Sequence, residues 1–197
     1  QEKELAFLSG ALLFAVFLIL LILVTQFNAF SSPIIILSSV VLSLAGVFLG
    51  IVISRNDFVI IMTMIGIISL AGIVVNNAIV LVDYTDLIRK RKRADLELDV
   101  TTLVSNEDFK ASVIEGGKTR LRPVLLTAIT TILGLFPLAS GLNINFFTLI
   151  SDWDPQIFFG GDNVIFFKPM SLAIIYGLTF ATFLTLVVVP IMYYSIY

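Results

Sequence analysis

Cysteine and histidine are both absent from the 197 residues. That excludes disulfides, Cys/His zinc sites and any catalysis that needs a thiol or an imidazole. Charge is also scarce, at 13% Asp, Glu, Lys and Arg, about half the share of a soluble domain. What fills the space is apolar: 58% of the residues, with a mean hydropathy of +1.06. A chain of this kind is a set of membrane spans, not one water-surrounded core. The net charge of −2 says little, because the charges are segregated along the chain. The first apolar run follows Gln1-Glu2-Lys3-Glu4, lacks a basic leader and is too long for the core of a signal peptide, so no cleavable signal is expected.

Five segments are long enough to cross roughly 30 Å of hydrocarbon at about 20 residues each. Residues 5–54 read as two spans, Leu5 to Phe27 and Pro33 to Ile53, joined by a short turn at Asn28–Ser32. Pro33 suits a first helical turn, where its missing N–H costs nothing. A third span, 58–91, carries polar groups. Residues 92–122 form a loop, in which Ser105-Asn-Glu-Asp108 suggests an approximate capping box opening a short surface helix. Phe109, Val113 and Ile114 would be its apolar face, and Gly116-Gly117 its end. The fourth span is 123–142, an outer loop follows at 143–168, and the last span fills 169–197, with Pro190 as a kink or terminus. The fold class is all-α, a polytopic bundle of five transmembrane helices.

Orientation follows from the basic residues. Nine of the twelve Lys and Arg lie between Arg89 and Arg122, which places that segment in the cytoplasm by the positive-inside rule. The chain's start is then periplasmic and its end cytoplasmic. Five crossings that start outside lead us to expect a further span and an external domain upstream. The run Arg89–Arg93 reads as a topology anchor against anionic membrane lipids, with a specific lipid or partner site as the alternative.

The third span holds the most informative stretch, Gly72-Ile-Val-Val-Asn76-Asn77-Ala-Ile-Val-Leu-Val-Asp83-Tyr84. Two amides and a carboxylate inside a span usually face a bundle interior and mark a path for ions or substrate. An interhelical hydrogen-bond clamp is the competing reading for Asn76 and Asn77. Asp83 and Asp86 sit one turn apart, and pairing with Arg89 or Lys90 on the same helix accounts for them without a functional site. Gly46-Val-Phe-Leu-Gly50 permits close helix approach within the bundle. In the outer loop, Asp152, Asp154 and Asp162 match no calcium-loop spacing, so no metal is assigned. The aromatics there, Phe146 to Phe167, form an interfacial belt or pack on a further domain. An intramembrane aspartyl protease would need two deep aspartates on different spans, which are lacking. No enzyme activity, cofactor or nucleic-acid partner is expected.

The polar stretch, followed by Arg120-Leu-Arg-Pro123-Val-Leu-Leu-Thr127 and the final Gly177-Leu-Thr-Phe-Ala-Thr-Phe-Leu-Thr-Leu-Val-Val-Val-Pro190, resembles the C-terminal half of resistance–nodulation–cell division (RND) efflux pumps. Leu23-Val-Thr-Gln-Phe-Asn-Ala-Phe-Ser-Ser-Pro33 resembles the same family at its first turn. The resemblance implies helices eight to twelve of a twelve-helix permease, a homotrimer in the bacterial inner membrane that couples proton influx to multidrug export through a periplasmic porter domain. It implies a proton relay of Asn76, Asn77, Arg120 and Thr127, facing paired Asp on an N-terminal half outside this chain, with a secondary role for Asp83. Many members carry Lys where this chain has Asn76. An amide can only exchange hydrogen bonds where a Lys can neutralise an Asp, so Arg120 would carry more of the coupling. The alternatives are a lipid-export or secretion-type relative, or a non-transporting structural fragment.

Overall fold

The computed structural model describes residues 2–95, 105–144, 150–151, 153 and 156–196, except the side chains at 162 and 163. In hydrocarbon a long apolar run must satisfy its backbone groups internally, so it becomes a helix, even where α4 and α5 carry internal prolines. Five result: α1 (Glu2–Phe27), α2 (Ser31–Ser54), α3 (Ile60–Asp95), α4 (Asn106–Ser140) and α5 (Asp162–Ile196). All five are long and apolar enough to cross a membrane. A short antiparallel pair, β1 (Leu142–Ile144) and β2 (Ile157–Phe159), joins α4 to α5.

Three sequence-derived boundaries need correction. The expected loop at 92–122 is mostly helical: α3 runs on to Asp95, and the surface helix continues unbroken from Asn106 through Pro123 into the fourth span. Gly116-Gly117 does not end it, since neither glycine has positive φ. Gly116 instead permits close approach, because a Cβ there would lie 2.6 Å from the Thr85 hydroxyl of α3. Tertiary packing of Phe109 and Val113 holds this stretch in line, with the Phe109 ring stacked 5.9 Å from Tyr193 and 5.7 Å from Tyr194 of α5. Ile114 points away from that contact and is exposed. Ser105 does precede the first turn, but its side chain makes no capping bond.

The second correction concerns 143–168, which is not all loop: it contains the β-ribbon and the first turns of α5. The third concerns Pro190: of the kink or terminus expected there, the terminus is not found, since the helix runs on to Ile196.

α5 is the central helix, packed against α2, α3 and α4, while α1 lies at the edge, mainly against α2 and α3. Small residues set these distances. A Cβ on Gly46 or Gly50 would run into Phe180 or Tyr176 of α5, and one on Gly177 into Leu70 and Val47. The Gly-x-x-x-Gly pattern of α2 is thus an internal helix crossing. The start of α1 lies beside the start of α3, since Glu4 and Phe58–Ile61 line one surface hollow. The α2–α3 turn and the ribbon meet at that same end, where Asn56 and Asp57 face Gly160, Gly161 and Lys168 across a groove. The basic run Arg89–Arg93 is at the opposite end, beside the close of α5.

Candidate functional site

Along α3 the side chains divide by helical period. Thr63, Gly66, Ile67, Leu70, Val74, Asn77 and Leu81 are among those buried against the other helices. Ser69, Gly72, Asn76 and Asp83 are uncovered, and their spacings of three, four and seven residues put them on one stripe. Asn76 lies sixteen residues from the start of α3, about 24 Å along the axis at 1.5 Å per residue, and seven residues before Asp83, so it sits inside the apolar span, nearer its Asp83 end.

One residue on, about 100° around the helix, Asn77 turns inward. Its Oδ1 accepts a hydrogen bond of 3.3 Å from the Thr127 hydroxyl on α4. The same single proton is shared with the Val124 carbonyl, 2.9 Å away and one turn back, which competes with Asn77 as its acceptor. Asn77 borders a tight crevice between α3, α4 and α5, shared with Val124, Thr182 and Thr185. The Thr182 hydroxyl is satisfied by the Leu178 carbonyl at 2.6 Å.

Two turns before Thr127, Arg120 lays its guanidinium 4.3 Å above the Tyr84 ring of α3. Its Nε is buried without a hydrogen-bond partner. A partly covered cation over an aromatic face is worth about 1 kcal/mol, which helps hold the side chain against α3. Asp83, beside Tyr84, is uncovered and makes no ion pair among the described residues. Asp86 is different. It accepts from the Tyr193 hydroxyl at 2.8 Å and pairs with Arg89 at 2.9 Å and Lys90 at 3.4 Å. The two carboxylates therefore do not form a pair.

The structure brings Asn77 to Thr127, and Arg120 to Tyr84. Asn76 stays on the uncovered stripe, bonded to neither. Tyr84, Tyr193, Thr182 and Thr185 were not singled out from the sequence. Tyr84 at least had a signal, as a tyrosine ending a polar-bearing span. The Tyr193–Asp86 bond joins residues 107 positions apart, which no local pattern announces. No cluster of metal-binding side chains occurs among the described residues. The loop positions Asp152, Asp154, Phe146 and Phe147, and the Asp162 side chain, lie outside them.

Known proteins agree on what this arrangement is. The AcrB/AcrD/AcrF family matches residues 1–143. The swarming motility protein SwrC of Bacillus subtilis is 36% identical over 183 residues, 93% of this chain and 14% of that protein. The nickel and cobalt resistance protein CnrA of Cupriavidus metallidurans is 32% identical over 155 residues, 79% of this chain and 11% of that protein. A crystal structure of a heavy metal efflux pump superposes on the whole chain with a TM-score of 0.74 at 26% identity, and the match takes up 16% of the pump. The chain thus spans less than one fifth of the length of the relatives it matches. It belongs to the AcrB/AcrD/AcrF family of RND transporters, as a set of that family's membrane-spanning helices.

Proposed function

We propose that this chain is part of the transmembrane domain of a proton-driven efflux pump and supplies one side of its proton relay. The observation that carries the reading is Asn76, an amide uncovered within an apolar span. An amide facing lipid there would leave its donors and acceptors unsatisfied at several kcal/mol. Further helices must cover it, and their groups would complete the relay. Asn77 and Thr127 form the inner wall of that surface. Arg120 supplies the positive charge and Asp83 is the secondary acidic group. Because Asn76 cannot hold a charge, Arg120 takes the electrostatic part: it steadies a deprotonated carboxylate across the interface and releases it on protonation.

In this reading the covering helices are the N-terminal half with its paired Asp. These five helices are then eight to twelve of a homotrimeric inner-membrane permease with a periplasmic porter domain. The basic end of the bundle faces the cytoplasm. The names of the relatives span motility, metal resistance and multidrug resistance, so the transported class is left to residues beyond this chain.

The test is efflux by the full-length protein. Asn76→Ala and Arg120→Ala are each expected to abolish it while leaving the membrane-inserted amount unchanged. Wild-type efflux in both variants would remove these residues from the relay.

A further inference from the structure

The β-ribbon between α4 and α5 has no part in the proposed relay, and its composition is unusual for an aqueous hairpin. The register pairs Leu142 with Phe159, Asn143 with Phe158 and Ile144 with Ile157. Paired residues share a face and neighbours alternate, so one face is wholly apolar: Leu142, Ile144, Ile157 and Phe159. Ile157 and Phe159 are 59% and 73% exposed, and nothing among the described residues covers them. We propose that this face is a membrane anchor, seated in the boundary between headgroups and acyl chains at the end of the bundle opposite the basic run.

Position argues for the bilayer as the occupant. Eighteen residues separate Arg122, the last charged side chain of α4, from Ser140 at its end. At 1.5 Å per residue that is about 27 Å, close to the roughly 30 Å of hydrocarbon. The ribbon therefore starts where the hydrocarbon stops.

It is also pinned there. Only Gly141 separates α4 from β1, and only Gly160-Gly161 separates β2 from α5. All three glycines have positive φ (76°, 101° and 113°), which makes the chain turn sharply at both roots. The Gly160 N–H donates to the Gly141 carbonyl at 2.9 Å, and the Asn143 side chain donates to the Gly160 carbonyl. Strands of three residues extend about 10 Å, little more than the depth of one headgroup layer. The adjoining turns continue the apolar surface: Phe136 on α4 and Ile165 and Phe166 on α5 are all exposed. One turn deeper, Lys168 is placed for its stem to lie along apolar surface while its ammonium reaches the interface. Trp153, the single tryptophan, is 88% exposed in the same connection, and tryptophan favours this depth.

A nitroxide label at a single cysteine tests the anchor. Phe159→Cys and Ile157→Cys are introduced separately into the full-length protein freed of other cysteines. Each is reconstituted in nanodiscs of phosphatidylethanolamine and phosphatidylglycerol, and collisions with oxygen and with a water-soluble nickel chelate are compared. Both parent side chains are uncovered, so neither substitution disturbs packing. The anchor predicts an oxygen-to-nickel ratio at both sites several-fold above that of a label at Asn106→Cys, at the far start of α4. Nickel collisions as frequent as at 106 would put the ribbon in water and overturn the proposal. Few collisions with either reagent would mean that protein covers the face, which also overturns it. Transport is not the readout, so the result stands apart from the relay assignment.

Discussion

α1 and α3 are both read as spans by hydropathy, and α1 is the more apolar of the two, yet the structure uses them differently. In their most apolar windows, 11% of α1 is buried inside the bundle against 56% of α3. α1 covers only Leu8 and Leu23, and its outer surface is Leu and Phe. α3 buries Thr63, Asn77 and Thr85 along with its apolar core, and holds Asn76 ready on an uncovered stripe. Lipid is a good solvent for α1's surface and a poor one for α3's amides. Polarity is affordable only on helices that protein surrounds. α4 sharpens the point: 17% of its window is buried, although Thr127, Thr130 and Gly134 line its uncovered side. A helix of that composition needs a neighbour, and α1 does not.

The largest effect that would test this contrast is a glycine substitution. Gly177→Val forces a side chain into Leu70 and Val47 and is expected to cost about 3 kcal/mol, the upper part of the overpacking range. Gly10→Val on α1 meets nothing within 4 Å and should stay within about 0.5 kcal/mol of the parent. Unfolding in mixed micelles reads both. Equal losses would mean that α1 is packed as tightly as the centre.

Next is the tie between α3 and α5. Tyr193→Phe removes the hydroxyl that donates to Asp86. The expected loss is about 1.5 kcal/mol, the value for a hydrogen bond to a charged group. The same measurement on Tyr194→Phe, at an exposed position, should show almost none.

The smallest expected effect lies at the proposed relay surface. A double-mutant cycle between Asn77→Ala and Thr127→Val should give a coupling of about 0.6 kcal/mol, typical of hydrogen bonds between membrane helices. The bond is long, at 3.3 Å, and Thr127 keeps a second acceptor in its own helix. A coupling near 2 kcal/mol would turn the pair into a structural clamp. A modest coupling combined with lost efflux would favour a place in the relay.

Much of this was legible along the chain because hydrocarbon imposes a simple rule. A run of about 20 apolar residues must become a helix, so the five spans and the polar stretch of the third followed from composition and order. The resemblance carried by Asn76-Asn77 and Arg120–Thr127 pointed to the family that the comparisons show. Boundaries at the water-facing ends were less legible. There, Gly116-Gly117 signals either a helix end or a close contact, and only Thr85 on another helix decides between them.

The side of each helix that meets protein was likewise a tertiary decision. Asn76 and Asn77 are chemically identical neighbours, and the bundle turns one inward to Thr127 and leaves the other uncovered. Asp83 and Asp86 divide in the same way, one uncovered and one tied to Tyr193 of α5. Sequence by itself determined that these groups lie in or near a membrane, because hydration energy depends on residue type and run length. Which of them face each other was decided by helix crossing, because the small residues that set those contacts, Gly46, Gly50 and Gly177, act on partners far away in the chain.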